Sequence, residues 1–123
     1  MPATTPEQIC HLFKQYMAAG DVEALLSLYD PEAVFLNSSG EIKQGMQGLR
    51  EELAPLASAK AVFDFSIRQT IQSGDIALMH THWTVSSPQP MSEYAIEVAR
   101  RQPDHTWCWL IGDPFTFGRN TSA

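Results

Sequence analysis

The chain has 123 residues, of which 44% are apolar and 18% are charged. This length suits one domain over residues 1–123, and the composition is that of a globular protein, which excludes a disordered chain. Lys and Arg number 8 against 14 Asp and Glu, so the net charge is −6, and Arg100-Arg101 is the only adjacent basic pair. We therefore expect no binding to nucleic acid or to an anionic membrane.

The sequence shows no targeting or membrane signal. Its first residues contain no basic stretch followed by an apolar run, and no segment approaches the ~18 consecutive apolar residues that span a bilayer. Cys10 and Cys108 each lie in an apolar segment, where a buried free thiol is the usual occupant. These features predict a cytoplasmic protein without disulfide bonds.

Two helices are predicted at the start of the chain. Residues 5–8 (Thr-Pro-Glu-Gln) form an N-terminal capping pattern, and Gly20 can end the helix in the left-handed conformation, which predicts a helix over 6–19. Asp21 can cap a second helix, which Pro31 is expected to close. Apolar residues share one face of each helix: Ile9, Leu12, Phe13, Tyr16 and Met17 in the first, and Val22, Leu25, Leu26 and Tyr29 in the second.

A short hairpin and a third helix are predicted next. Residues 33–37 and 41–43 have the composition of short strands around a turn at 38–40. The third helix carries Met46, Leu49, Leu53 and Leu56 on one face. Pro55 is expected to kink or end this helix, because proline lacks the backbone N–H that a helix requires.

After Lys60 the hydrophobic period changes from helical to alternating. Ala61, Phe63, Phe65, Ile67 and Ile71 alternate with mostly polar residues, and further strands are predicted over 76–85, 93–102 and 106–112, separated by a loop over 86–92 and a turn at 103–105. Helices followed by a run of long strands indicate an α+β domain with a curved antiparallel sheet.

The late strands are apolar on both faces. Trp107, Trp109 and Ile111 alternate with Cys108 and Leu110. Three helices can cover only one face of such a sheet, and the other face would expose a large apolar patch on a monomer. We therefore predict a homodimer packed through the sheets.

Several segments resemble one superfamily in their order and spacing. These are residues 19–35 (AGDVEALLSLYDPEAVF), Gly45, residues 97–104 (EVARRQPD), Trp107 and Asp113-Pro114-Phe115. Together they resemble the nuclear-transport-factor-two-like superfamily, which includes the ketosteroid isomerases, and most closely its SnoaL-like branch. The resemblance implies a conical half-barrel whose helices close the wide end over a pocket. It also implies a small apolar or aromatic ligand and no cofactor.

The resemblance assigns positions to the groups that ketosteroid isomerases use. The aspartate base position falls on Asn37, whose amide cannot accept a proton near neutral pH. The tyrosine position falls near Phe13, and Tyr16 lies one turn further along the same helical face. The Tyr16 hydroxyl either enters the pocket or belongs to a core tyrosine satisfied at its rim.

The position of the second catalytic acid of the ketosteroid isomerases corresponds to Glu97 in this sequence. A carboxyl buried there among aromatic side chains would have a raised pKa and could donate a hydrogen bond in its neutral form. The alternative is a surface carboxylate that faces water or pairs with an arginine. Ala95 and Ala99 share its face and leave space, which favours the pocket.

Asp113 ends the last predicted strand on the same face as Trp107 and Trp109. It is either a second carboxylate at the pocket mouth or a turn-forming Asp-Pro pair. The two tryptophans either line the pocket or pack in the core or an interface.

His80 and His82 form a His-X-His pair on one face of a strand. No further His or Cys has the spacing of a third metal ligand, so a metal site is not predicted. The two histidines lie either at an interface or, if their face turns inward, near the pocket, where one could act as a general base.

Two functions follow from these residues. The first is a cofactor-free isomerase, cyclase or lyase on a small carbonyl compound, with Glu97 polarising the carbonyl, Tyr16 assisting, and His80 or His82 moving the proton. The second is a non-catalytic dimeric module that binds a small apolar ligand, because Asn37 occupies the base position. The sequence leaves open whether the protein is an enzyme.

Overall fold

The computed structural model describes residues 3–87 and 89–115 and shows three helices packed against one six-stranded sheet. The elements in chain order are α1 (Pro6–Ala19), α2 (Val22–Leu26), β1 (Tyr29–Leu36), β2 (Ile42–Gln44), α3 (Gly45–Ser58), β3 (Val62–Ser73), β4 (Ile76–Ser87), β5 (Met91–Arg101) and β6 (Trp107–Asp113). The predicted α+β class with a curved, open sheet is confirmed. Within the described residues, no helix is long and apolar enough to cross a membrane.

The strands are ordered β2-β1-β6-β5-β4-β3, so β3 to β6 form the antiparallel meander that the alternating pattern predicts. Unlike the other pairs, β1 lies parallel to β6, with Tyr29 opposite Trp109. This pairing has no local sequence signal, because α3 and four strands, β2 to β5, separate the two segments. It brings the start of β1 beside the aromatic residues of β6.

The second helix is shorter than predicted. It ends at Leu26, and β1 already begins at Tyr29, so Pro31 lies inside a strand and does not close a helix. The β1–β6 register is irregular between Tyr29 and Val34. A proline is tolerated in such an interruption of the ladder, because the hydrogen bond it cannot donate is not required there.

Pro55 does not end α3, which continues to Ser58. Leu53 and Ala57 on either side of the proline are buried in the core, while Pro55 itself is exposed. The packing of these neighbours holds the last turn in place despite the missing N–H, because tertiary contacts stabilise most helices in proteins.

The hydrophobic core lies between α1, α3 and the inner face of the sheet. Along β4 the odd-numbered residues from Ala77 to Val85 are buried, and the even-numbered ones are half-buried or exposed. Ala77, Ala95 and Ala99 are small residues at the centre of this inner face, and all three are at most 2% exposed. Small side chains here leave room between the sheet and the helices for the aromatic residues of the site.

Candidate functional site

A cavity of about 140 Å³ opens between the inner face of the sheet and helices α1 and α3. Its lining is mostly apolar and aromatic: Phe13, Tyr29, Phe35, Leu53, Leu56, Phe63, Phe65, Trp83, Trp109, Gly112, Pro114 and Phe115. Two acidic residues, Glu52 and Glu97, complete the lining. An apolar cavity of about 150 Å³ can hold a benzene-sized molecule, so this space suits a single small ring.

The Glu97 carboxyl is the main polar group of the cavity. Burial and, to a smaller extent, the charge of nearby Asp113 together raise its pKa to about 8. No hydrogen bond contributes to this shift. At neutral pH most molecules therefore carry a protonated Glu97, which can donate a hydrogen bond into the cavity.

Gly112 provides the space that the Glu97 carboxyl occupies. The two residues are paired across β5 and β6. A Cβ atom on residue 112 would lie 2.7 Å from Glu97 Oε2 and 3.3 Å from Phe35 Cβ, so a larger residue would displace the carboxyl. The glycine is needed here for close approach and not for an unusual backbone conformation.

Tyr29 is a cavity residue that the sequence prediction missed. Burial raises the pKa of its hydroxyl well above the ordinary range, and the charges of Glu97 and Cys10 add to this effect. Its ring packs against Trp109 with 5.4 Å between centroids. The hydroxyl is therefore neutral and belongs to the same electrostatic neighbourhood as Glu97. The sequence predicts Tyr29 on the apolar face of the second helix, whereas the structure places it at the start of β1.

Glu52 is a second cavity residue that the sequence prediction missed, although the spacing of residues in α3 indicates its position. Leu49, Glu52, Leu53 and Leu56 follow the i, i+3, i+4, i+7 spacing of a single helical face. Glu52 is half-buried and lines the cavity, and none of the salt bridges among the described residues includes it. Its neighbour Glu51 is exposed, with an oxygen 4.0 Å from Lys43 Nζ.

Of the other predicted pocket residues, Phe13 and Trp109 line this cavity and Tyr16 and Trp107 do not. Tyr16 and Trp107 line a separate, wider cavity of about 620 Å³ near the β5–β6 turn. The sequence left open whether Tyr16 enters the pocket, and Tyr16 is not among the residues that line the cavity of Glu97. Tyr16 lies one helical turn after Phe13 on α1 and lines the larger cavity, whereas Tyr29 lines both cavities.

Asn37 does not line either cavity. Its side chain is buried in the β1–β2 turn, where Oδ1 accepts hydrogen bonds from the backbone N–H groups of Ser39 and Glu41. Its Nδ2 donates to Glu41 Oε1 at 3.1 Å. Asn37 thus stabilises the turn, and the prediction that it contacts a ligand is not supported by its position.

His80 and His82 lie on the outer face of β4, away from the cavity, because the inner face is formed by the odd-numbered residues. His82 stacks on Tyr94 with 4.7 Å between ring centroids, and its Nε2 lies 2.6 Å from Ser92 Oγ. Neither histidine can exchange a proton with a ligand beside Glu97. Within the described residues, no three His, Cys, Asp or Glu side chains are grouped to hold a metal ion.

Asp113 lies on the opposite face from the one predicted. Ala99 pairs with Trp109, but Val98 pairs with Ile111, so Leu110 is an extra residue that forms a bulge in β6. A one-residue insertion reverses the facing of every later side chain. Asp113 therefore pairs with Ile96 on the outer face, and it influences Glu97 by charge without lining the cavity.

The fold and the cavity together define an α+β half-barrel with a mostly apolar interior site. A family profile described as a SnoaL-like domain matches residues 11–107. The chain therefore belongs to the SnoaL-like family of the nuclear-transport-factor-two-like superfamily, as its sequence resemblance predicts. A search of curated proteins finds no match.

Solved structures show the same fold in proteins with different assigned functions. A protein assigned as a ketosteroid isomerase from Parabacteroides distasonis is 27% identical, with a TM-score of 0.69 and coverage of 88% of this chain and 84% of that one. A protein assigned as a dehydratase of the NTF2-like family from Streptomyces avermitilis is 18% identical, with a TM-score of 0.68 and coverage of 88% and 91%.

A third structure shows how far function varies on this fold. A protein from Thiobacillus denitrificans, assigned as a calcium/calmodulin-dependent protein kinase type II association domain, is 14% identical. Its TM-score is 0.75, and the match covers 94% of this chain and 98% of that one. The fold alone therefore does not decide the function, and the cavity residues must carry the argument.

Proposed function

We propose that the protein binds a small carbonyl compound in the 140 Å³ cavity and acts on it as a cofactor-free isomerase or lyase. The observation that carries this proposal is Glu97, which lines a mostly apolar cavity and whose pKa is raised by burial to about 8, so that the neutral acid predominates at pH 7. A neutral acid can donate a hydrogen bond to a carbonyl oxygen and stabilise the negative charge that develops there when the adjacent carbon loses a proton.

The size and lining of the cavity support a compact, mostly apolar ligand. Aromatic rings from α1, β3, β4 and β6 surround the space, and polar groups are few. Small-molecule sites commonly combine an apolar lining with a few oriented polar groups. The similarity to structures assigned as a ketosteroid isomerase and a dehydratase is consistent with carbonyl chemistry.

A non-catalytic binding module is the second candidate. It is favoured by the positions of the predicted proton-transfer residues, since Asn37 is used in a turn and His80 and His82 lie on the outer face. In that case the cavity would hold the same class of ligand, and the ligand would be released unchanged.

Binding and turnover separate these candidates. We would titrate the protein with 4,4-difluorocyclohexanone and follow binding by ¹⁹F NMR, comparing wild type with Glu97→Gln and with Glu51→Gln as a surface control. We expect saturable binding that weakens up to about tenfold in Glu97→Gln, because an amide N–H is a weaker hydrogen-bond donor than a carboxylic O–H, and is unchanged in Glu51→Gln. No saturable binding to wild type would contradict the proposal. Conversion of 3-cyclohexen-1-one to its conjugated isomer would favour the enzyme.

We also propose a homodimer through the outer face of the sheet. Ile71, Leu78, Val98 and Ile111 are consecutive cross-strand neighbours on β3, β4, β5 and β6, and Ile71 and Ile111 are each 51% exposed. An apolar row across four strands is a surface that a second copy could cover.

Sedimentation velocity at micromolar concentration tests the dimer. Leu78→Glu is expected to give a monomer, whereas Ile42→Glu on β2 serves as a control, because Ile42 is 73% exposed and lies outside this row. A monomeric wild type would contradict the proposed dimer. The cytoplasmic location remains a prediction from the sequence, which cell fractionation would test.

A further inference from the structure

Glu52 is the acidic residue of the cavity lining that the Glu97-centred proposal leaves without a role. We propose that Glu52 is the catalytic base, which removes a proton from the carbon next to the ligand's carbonyl while Glu97 holds the carbonyl oxygen. This inference rests on the proposed function and adds the proton-transfer group that it lacks.

The position of Glu52 on α3 supports this role. Leu53 and Leu56, on the same helical face, line the same cavity. Glu52 keeps part of its surface in water, which can solvate a carboxylate charge, and no salt bridge among the described residues neutralises it. It also differs from the adjacent Glu51, which is exposed and lies near Lys43.

The other titratable groups near the cavity do not fit the role. Apart from Glu97, the described lining residues include only Tyr29 and Glu52 as ionisable groups. Burial keeps the Tyr29 hydroxyl protonated, and burial raises the pKa of the Cys10 thiol to about 12, with the Glu97 charge adding to it. Cys10 is also not among the residues that line the cavity.

The two carboxyl groups occupy different environments in one site. Glu97 lies on β5 against the aromatic lining, where burial raises its pKa to about 8, whereas Glu52 lies on helix α3; both residues are half-buried. A pair of acids in contrasting surroundings allows one to act as a hydrogen-bond donor and the other as a proton acceptor. Contact with water also lets Glu52 exchange its captured proton with solvent.

The proposed step balances without a further reactant. A C–H bond beside the carbonyl breaks and an O–H bond forms on Glu52. The C–H electron pair becomes a C=C bond, and the carbonyl π pair moves onto oxygen, where the Glu97 O–H donates a hydrogen bond. For a β,γ-unsaturated ketone, return of the proton to the γ carbon restores the carbonyl and shifts the double bond into conjugation.

The test compares Glu52→Gln with its neighbour Glu51→Gln and with Glu97→Gln. Binding of 4,4-difluorocyclohexanone is measured by ¹⁹F NMR, and exchange of its α hydrogens in D₂O is measured by ¹H NMR. General base catalysis typically increases a reaction rate about 10²–10⁴-fold. We therefore expect Glu52→Gln to lower the rate of hydrogen exchange at least about 100-fold, while its affinity for the ketone stays within twofold of wild type. Glu51→Gln should match wild type in both, and Glu97→Gln should lose affinity and rate.

Each other result has a definite meaning. If Glu52→Gln exchanges as fast as wild type, the inference about Glu52 is wrong and the role of Glu97 is unaffected. If wild type binds the ketone without exchanging its hydrogens, Glu52 is not a base and the non-catalytic module is favoured. If wild type does not bind the ketone, the proposed function itself fails, and the inference fails with it.

Discussion

Gly112 on β6 lies directly opposite Glu97 on β5, and the carboxyl oxygen Oε2 of Glu97 lies 2.7 Å from the position that a Cβ atom on residue 112 would occupy. This relationship depends on the bulge at Leu110, because without the extra residue Gly112 would face outward and a larger residue would face Glu97. The bulge and the glycine together make room for a carboxyl in an apolar interior.

Gly112→Ala is expected to disturb the site more than the fold. The added Cβ would lie 2.7 Å from Glu97 Oε2, so the carboxyl must move, and overpacking of this kind typically costs about 1–3 kcal/mol. We expect a lower midpoint of urea unfolding and at least tenfold weaker binding of 4,4-difluorocyclohexanone. Urea unfolding followed by tryptophan fluorescence and ¹⁹F NMR titration measure the two effects.

Gly48→Ala is the matched control for this substitution. Gly48 lies inside α3, and the nearest atom to an added Cβ is Lys43 Cβ at 3.4 Å, an ordinary contact. Replacing a helix-interior glycine with alanine is expected to stabilise the protein by up to about 1 kcal/mol. Equal effects of the two substitutions would contradict the specific role of Gly112.

Glu97→Gln is expected to stabilise the protein increasingly as the pH rises. The folded pKa of about 8 lies above the ordinary value of 4.5, so the folded chain holds a proton that the unfolded chain has lost between these pH values. Stability therefore falls with rising pH across this window, and glutamine removes that loss. At roughly 1.4 kcal/mol per pKa unit, the gain reaches at most about 5 kcal/mol above pH 8.

Urea unfolding of both proteins at pH 5, 7 and 9 measures this gain. The difference in free energy of unfolding should be small at pH 5 and largest at pH 9. Glu51→Gln controls for the removal of a surface charge, since Glu51 is exposed. A constant difference between wild type and Glu97→Gln at all three pH values would show that Glu97 does not titrate in this range.

Ligand binding should weaken above pH 8 for the same reason. Only the protonated Glu97 donates a hydrogen bond to a carbonyl oxygen, and deprotonation also places a negative charge beside it. The affinity for a ketone is expected to fall about tenfold per pH unit above the pKa of Glu97, and this decline should be absent in Glu97→Gln. Titration with cyclohexanone, which does not ionise in this range, provides the measurement. An affinity that is unchanged from pH 7 to 9.5 would contradict the donor role.

The local features of the fold could be read from the sequence because each has a nearby cause. The bounds of α1 follow from the Thr5 cap, which accepts a hydrogen bond from the Gln8 N–H, and from Gly20, which adopts φ 71° at the C-terminus. The meander follows from alternation and turn residues. Phe13, Glu97 and Trp109 line the cavity, and their contact with a ligand stays a prediction.

The remaining site residues depend on long-range or irregular features. Tyr29 lines the cavity because β1 pairs with β6 in parallel, and Asp113 does not line it because the bulge at Leu110 turns its side chain to the outer face. Neither feature has a sequence pattern of its own. His82 faces outward because of the register of β4, and a shift of one residue decides that facing. Glu52 could have been found, because it lies on the apolar face of α3.

An ion-pair and hydrogen-bond network around Asp30 joins β1 to β5 on the outer face of the sheet. Asp30 is 2% exposed and accepts two hydrogen bonds from Arg100, Nε at 3.0 Å and an Nη at 2.9 Å, and a third from Gln102. Although burial alone would raise the pKa of Asp30, the hydrogen bonds from Arg100 and Gln102 lower it overall.

Asp30→Asn is therefore expected to destabilise the protein by roughly 1–3 kcal/mol at neutral pH, because it weakens the hydrogen bonds to Arg100, which is 35% exposed in its side chain and keeps Glu32 as a carboxylate partner. Asp75→Asn is the control, since Asp75 pairs with the adjacent Arg101 but is 64% exposed in its side chain, and such pairs contribute less than about 1 kcal/mol. Because the folded pKa of Asp30 is lowered, its stabilisation is complete above the ordinary carboxyl pKa and is lost as the pH falls through the folded pKa. Urea unfolding should show that the free energies of unfolding of wild type and Asp30→Asn approach each other at low pH. A large difference between them that persists in acid would contradict this account.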